Sequence, residues 1–212
     1  TIAAMATTPE VCEHLHLPLQ SGSDRILSAM HRGYTAERYL DRLADARKGI
    51  EDLAVTTDLI VGFPGETEDD FERTLEVVAE AGYDSAYCFV FSPREGTEAA
   101  GMIEDFVDHD VCVDRFERLQ RVLRRSASLA HNARIGRVEE VLVEGPAKRE
   151  PNQVTARTRQ NKLVHLPAGD GLRTGAYADV RIVGAANHYL HGELVEVTAV
   201  PRHRRRIPVA VG

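Results

Sequence analysis

Three short segments of the 212-residue sequence combine glycine with polar side chains, and each follows an apolar run. They read QSGS at residues 20–23, GFPGE at residues 62–66 and SPREGT at residues 92–97. Glycine lets a backbone approach a ligand closely, and the polar groups can then bind it. The candidate ligand contacts in and beside these segments are Gln20, Ser23, Asp58, Gly62, Gly65 and Arg94.

Two of these candidates carry a charge. Asp58 precedes the apolar residues 59–61, where an unpaired carboxylate would be costly to bury. It either binds a ligand or makes a structural hydrogen bond to a neighbouring turn. Arg94 is the one cation of the three segments and would suit a carboxylate ligand, although an exposed loop arginine is the alternative.

The first 133 residues repeat a strand-then-helix pattern that would position these segments. In residues 56–67, TTDLIVGFPGET, a β-branched run is broken by glycine and proline, and Thr67 then caps a helix that begins with three acids. Strands separated by helices predict a parallel sheet, so the carboxyl ends of the strands share one rim. Three such units predict an α/β fold that forms half of a (β/α) barrel over residues 1–133.

The pattern changes to short alternating runs after residue 133, which predicts a small antiparallel β-barrel of the OB type over residues 134–199. Residues 200–212 form a basic tail that we expect to be disordered. Residues 1–133 carry 13 Lys and Arg against 25 Asp and Glu, whereas residues 134–212 carry 13 against 8. The basic half is expected to meet nucleic acid, with a solvated surface as the alternative. The candidate phosphate contacts are Arg157, Arg159, Asn161 and Lys162, and Arg157 and Arg159 are expected to share one strand face.

Neither a metal site nor a membrane segment is expected from the sequence. Cys12, Cys88 and Cys112 lie far apart and predict reduced structural thiols, while His14 and His16 lack a third ligand at a fitting spacing. No apolar stretch approaches the roughly 20 residues that span a bilayer, and the first residues do not resemble a signal peptide. These features favour a cytoplasmic protein.

Four stretches resemble the radical S-adenosylmethionine (SAM) methylthiotransferases: HLPLQSGSDRILSAMHRGYTAERY, TTDLIVGFPGETEDDFERTLEVV, FVFSPREGTEAAGM and, in the basic half, ARTRQNKLVH. Within that family the chain is most similar to members that modify dimethylallyladenosine beside the tRNA anticodon. The resemblance implies a partial radical SAM barrel followed by an RNA-binding TRAM domain. It also implies that the candidate ligand contacts at the rim of the sheet, which we call the rim candidates, hold SAM or the target base. The implied partner is the anticodon stem-loop of tRNA.

The chain departs from this family in its cysteines. The resemblance implies two 4Fe-4S clusters, one held by Cys-x-x-x-Cys-x-x-Cys and one by three further cysteines, and neither set occurs here. We therefore expect the C-terminal half of a longer monomeric enzyme, inactive without its N-terminal half. Two alternatives stay open: a sister enzyme acting on threonylcarbamoyladenosine or on a ribosomal protein, and an RNA-binding fragment without catalytic activity.

Overall fold

The computed structural model of the protein describes residues 1–148, 150 and 152–201. The chain packs as two compact units, Thr1–Ala133 and Arg134–Gly212. The predicted basic tail at residues 200–212 lies outside the described residues from position 202 onward. Among the described helices, none has both the length and the apolar character that a bilayer crossing requires.

The first unit alternates strands and helices, as predicted. Its elements in chain order are α1 (Ile2–Thr7), β1 (His14–His16), α2 (Asp24–Ala29), α3 (Ala36–Gly49), β2 (Ala54–Val61), α4 (Glu68–Ala81), β3 (Ser85–Val90), α5 (Glu98–Gly101), a 3-10 turn (Ile103–Asp105) and α6 (His109–Asn132).

The three strands form a parallel sheet in the order β1-β2-β3, and this open sheet confirms the predicted partial barrel. Side chains alternate along β2, so Val55, Leu59 and Val61 are buried in a core that also contains Phe71 of α4 and Leu119 of α6. The opposite face of β2 carries the polar residues Thr56 and Asp58. The sheet therefore buries one face under its helices and presents the other.

Helix ends follow the capping residues of the sequence. Thr67 and Asp70 form the capping box of α4, and Gly82 ends that helix with φ of 57°. The sequence pattern predicts the start of helix α6 near Val113. The helix begins four residues earlier, at His109, because the Asp108 carboxylate caps it by accepting a hydrogen bond from the Asp110 N–H. Helices α1 and α5 were not predicted; each is shorter than two full turns, and neither has a buried residue.

The second unit is a closed five-stranded barrel, which confirms the predicted OB-like module. Its strands are β4 (Val138–Pro146), β5 (Gln153–Thr158), β6 (Leu163–Pro167), β7 (Tyr177–Ala185) and β8 (Leu190–Ala199). They close in the order β4-β5-β6-β8-β7, with four antiparallel pairings and one parallel pairing, between β6 and β8. The parallel pair departs from the antiparallel prediction for a geometric reason: a closed ring with an odd number of strands cannot alternate direction at every pair.

Candidate functional site

Polar side chains cross all three parallel strands on the sheet face opposite the helices. We call His14, His16, Thr56, Asp58 and Tyr87 the polar row. Asp58 Oδ2 lies 3.3 Å from His16 Nε2, and Thr56 Oγ1 lies 2.9 Å from His16 Nδ1 and 3.1 Å from His14 Nε2. Tyr87 pairs with Asp58 in register on the neighbouring strand and is 66% exposed.

Asp58 is thus partly exposed, with 29% of its side chain accessible, and its partner is a histidine on the adjacent strand rather than a turn. One side of its carboxylate is held by His16, which orients it across the sheet. The arrangement can accept a hydrogen bond from a ligand that lies on the polar row.

Gln20 lies beside β2 at the carboxyl end of the sheet. Its N–H donates to Asp58 O over 2.8 Å and its carbonyl accepts from Ile60 N–H over 2.9 Å, which extends the β1 pairing past Pro18. The backbone has φ of 69°, a strained value for a residue other than glycine. Gln20 is only 9% exposed, and within the described residues its side-chain amide makes no hydrogen bond, so the amide can bind only a ligand that reaches the carboxyl end of the sheet.

Ser23, in contrast, is buried and hydrogen-bonded within the protein. It caps α2, and its hydroxyl donates to Asp70 Oδ1 over 2.6 Å. Asp70 also accepts hydrogen bonds from Arg25 and from Thr67. Burial alone would raise the pKa of Asp70, but these donors outweigh it and hold that pKa well below its usual value. Ser23 therefore ties the QSGS segment to the start of α4.

The GFPGE segment is held from inside by Glu66. Glu66 Oε2 accepts from the Gly62 N–H over 2.8 Å and from Arg115 Nη1 over 3.0 Å, and Arg115 also donates to the Glu66 carbonyl. The side chains of Glu66 and Arg115 are only 1% and 5% exposed. Burial raises the pKa of Glu66, while the Gly62 N–H and Arg115 act against that rise.

The two glycines of this segment serve the protein backbone. Gly62 has φ of +74°, and a Cβ there would come within 2.3 Å of Cys112 Sγ, so α6 fills that side. Gly65 has φ of +76°; its N–H donates to Asp105 O, and its carbonyl accepts from Arg25. Both glycines are needed for the turn itself.

Arg94 lies in an exposed turn closed by Thr97, whose hydroxyl donates to the Arg94 carbonyl over 2.7 Å. Its guanidinium has no partner in the described part of the chain. Of the six rim candidates, Gln20, Asp58 and Arg94 can therefore reach a ligand, whereas Ser23, Gly62 and Gly65 shape the segments that carry them.

The sequence analysis missed Glu66, Asp70 and Arg115. A signal for Arg115 was present: it lies four residues before Leu119 and eight before Leu123, on the apolar stripe of α6. A charged residue on such a stripe requires a buried partner.

The thiols do not form a metal site. Cys12 is exposed, Cys88 is half-buried and Cys112 is buried, and no group of three His, Cys, Asp or Glu among the described residues could hold a metal ion. Burial, with a contribution from Asp58, raises the pKa of the Cys88 thiol to about 11. Burial also raises the pKa of Cys112.

On the β-barrel, Arg157 is oriented by neighbours. Its guanidinium contacts both Glu144 carboxylate oxygens, at 2.8 and 3.3 Å, and donates to the carbonyl and side-chain oxygens of Asn161. Asn161, with φ of 60°, shapes the turn between β5 and β6.

The other two cations do not join Arg157 on one strand face. Strand β5 ends at Thr158, so Arg159 lies in the turn, where its Nη1 is 3.8 Å from Glu140 Oε1. Lys162 is only 5% exposed. The expectation that Arg157 and Arg159 share a strand face is therefore wrong, because the hairpin turn begins one residue earlier than the sequence pattern suggests.

Comparison with known proteins agrees with this architecture. Residues 1–78 match the family model of the radical SAM superfamily, and residues 132–195 match that of the TRAM domain. The chain is 50% identical over 196 residues to the tRNA-2-methylthio-N(6)-dimethylallyladenosine synthase of Moorella thermoacetica, which covers 92% of this chain and 44% of that synthase. The chain belongs to the radical SAM superfamily and contains a TRAM domain. This confirms the family that the sequence motifs indicated.

A synthase of the same name from Burkholderia cenocepacia is 43% identical over 200 residues, or 93% of this chain and 44% of that protein. This radical SAM and TRAM chain thus spans less than half the length of the curated relatives it matches. Among solved structures, coproporphyrinogen III oxidase from Escherichia coli, described as a radical SAM enzyme, gives a TM-score of 0.48 at 15% identity, over 80% of this chain and 41% of that one.

Proposed function

We propose that this chain is part of a tRNA methylthiotransferase that installs a methylthio group on carbon 2 of dimethylallyladenosine beside the anticodon. The observation that carries the proposal is the 42–50% identity, over 92–93% of this chain, to synthases whose names state that product. The same relatives are about twice as long as the chain. The proposal includes a cytoplasmic location and a monomeric enzyme.

Radical SAM enzymes require SAM and an iron-sulfur cluster, and the residues of this chain fit the two groups differently. A 4Fe-4S cluster needs several thiolates in close reach. The three thiols here are separated, and two have raised pKa values. We therefore assign the cluster ligands, including those of a proposed second cluster, to residues outside these 212.

The rim fits a polar ligand such as SAM, which supplies the adenosyl and methyl groups when bound. Gln20 and Arg94 have side chains without a hydrogen-bond partner in the described part of the chain, and Asp58 is oriented by His16. A guanidinium suits the carboxylate of an amino acid, whereas an aspartate suits its ammonium or a ribose hydroxyl. In this proposal Arg94 and Asp58 hold opposite charges of the ligand, and Gln20 contacts its polar edge.

Asp58→Asn in the full-length enzyme tests the rim assignment. We expect about 100-fold loss of methylthiolation, since misplacement of a reacting group costs on the order of 10²-fold. The mid-point of thermal unfolding should stay close to that of the parent, because Asp58 is partly exposed. Asp69→Asn, an exposed acid on α4, is the matched control and should retain activity.

If Asp58→Asn unfolds the enzyme at a much lower temperature while the folded fraction is fully active, Asp58 has a structural role. Mass spectrometry of tRNA from cells that express the full-length enzyme tests the reaction itself. Product found on threonylcarbamoyladenosine, or on a ribosomal protein, would replace the proposed substrate by that of a sister enzyme.

A further inference from the structure

Three ring side chains cluster on the outer surface of the β-barrel. The Tyr189 ring lies between His165 and His191, with ring centroids 4.8 and 5.1 Å apart and interplanar angles of 87° and 76°. We call these three residues the ring cluster. His165 and His191 pair in register on β6 and β8, and the adjacent Val164 and Leu190 are buried in the barrel core. The ring cluster therefore faces outward.

The contacts within the cluster leave ring surface uncovered. In an edge-to-face pair one ring presents its edge, so that ring's own face is not covered by its partner. Tyr189 and His165 are half-buried, and His191 is exposed. A planar ligand can stack on such rings, provided that it is not already stacked in a duplex.

A held guanidinium lies on the same outer face. Arg157 of β5 pairs in register with Leu163, which precedes His165 by two residues on β6, and side chains two apart share a strand face. Arg157 is oriented by Glu144 and Asn161 rather than mobile. This face thus carries an oriented cation one same-face position away from His165, and cations together with aromatic rings bind unpaired nucleotides.

The charge distribution favours stacking over simple attraction. Residues 134–201 carry nine Lys and Arg against eight Asp and Glu, and the other four arginines of the basic half lie in residues 202–212. A nearly neutral barrel gains little from counterion release. Any affinity of the barrel itself for RNA must then come largely from contacts that do not depend on net charge.

We propose that the ring cluster is a stacking platform for unpaired RNA bases, with Tyr189 as the ring that receives a base. The proposal rests on RNA binding as part of the proposed function, and it adds a surface and a mode of contact. It also states a preference, because a base within a duplex has no free face to offer.

The sequence contains no tryptophan, so Tyr189→Trp creates a single fluorescent reporter in the full chain. Titration with a 12-nucleotide single-stranded RNA of mixed sequence should quench its emission strongly at saturation, whereas a 12-base-pair RNA duplex should not. Tyr177→Trp is the matched control: Tyr177 is an exposed barrel tyrosine, 44% accessible, and pairs with Ala199 at the far end of β8. Its emission should change little.

Tyr189→Ala gives an independent measurement by fluorescence anisotropy with the labelled single strand. Loss of one stacked base should weaken binding about 5- to 150-fold, with an unchanged slope of affinity against salt. Tyr189→Phe keeps the ring and should bind like the parent. The thermal unfolding mid-point of Tyr189→Ala, compared with that of the parent, separates loss of stacking from loss of folding.

Two results would overturn the stacking platform while RNA binding stands. One is single-strand binding that leaves the emission of the Tyr189→Trp chain unquenched; the other is equal affinity of Tyr189→Ala and the parent chain. If the chain binds neither RNA at low salt, RNA binding by the TRAM domain fails, and the stacking platform fails with it.

Discussion

Arg115→Ala should destabilise the first unit more than Arg118→Ala, which removes the arginine one helical turn later. Arg115 is the only cation that contacts the buried Glu66 carboxylate within the described residues. Its loss leaves that carboxylate in the interior, where Glu66 Oε1 already has no hydrogen-bond partner in the described structure. Removal of one member of a buried pair costs about 3–5 kcal/mol, because the remaining charge is uncompensated.

Arg118→Ala is the matched control. Arg118 pairs with Glu68, Glu72 and Asp114, but its side chain is 23% exposed and its partners are 51–64% exposed. Exposed pairs contribute about 0–1 kcal/mol each, so the three pairs together contribute less than about 3 kcal/mol. Both arginines lie near the Phe71 ring, at 5.7 and 4.9 Å, so their cation-π contributions largely cancel in the comparison.

Urea unfolding followed by circular dichroism at 222 nm measures the difference. The described helices all lie within Thr1–Ala133, so this signal reports the first unit. Replacement of both partners, Glu66→Gln with Arg115→Met, should cost less than the sum of the two single changes, because neither charge is then left unpaired. Equal losses for Arg115→Ala and Arg118→Ala, or strict additivity in the double variant, would refute the role of the buried pair.

Three further outcomes are expected. The pKa of Asp70 is lowered in the folded protein, so its contribution to stability is complete above the unfolded pKa of about 3.9 and is lost as the pH falls below that value. Stability against urea should therefore fall less steeply between pH 5 and pH 3 in Asp70→Asn than in the parent. An unchanged pH profile would contradict this role of Asp70. Gly62→Ala should lower the free energy of unfolding by about 2–4 kcal/mol, because of the positive φ at Gly62 and the close contact of the new Cβ with Cys112 Sγ. Urea unfolding of the double variant Gly62→Ala with Cys112→Ala should recover only the part of this loss that comes from the steric contact. Anaerobic iron-sulfur reconstitution of the 212-residue chain should give far less than four iron atoms per chain and no 5′-deoxyadenosine; a stoichiometric cluster would contradict the assignment of its ligands to other residues.

The sequence by itself determined the family and the types of the strands and longer helices, but not the short helices α1 and α5. Periodicity, glycines and caps are local signals, so the capping box at Thr67 and the helix end at Gly82 followed from a few neighbouring residues. The family followed from long ordered motifs. The short alternating runs after residue 133 also predicted a small β-barrel, although the parallel β6–β8 pair follows only from the closed ring itself.

The tertiary structure decided which polar residues face a ligand. Gln20 and Ser23 stand three apart in one segment, yet the Gln20 amide has no partner in the described structure, whereas the Ser23 hydroxyl is bound to Asp70, 47 residues away. Lys162 was predicted as a surface cation and is buried. A polar side chain's role depends on donors and acceptors that folding brings from distant parts of the chain, and no local pattern encodes those partners.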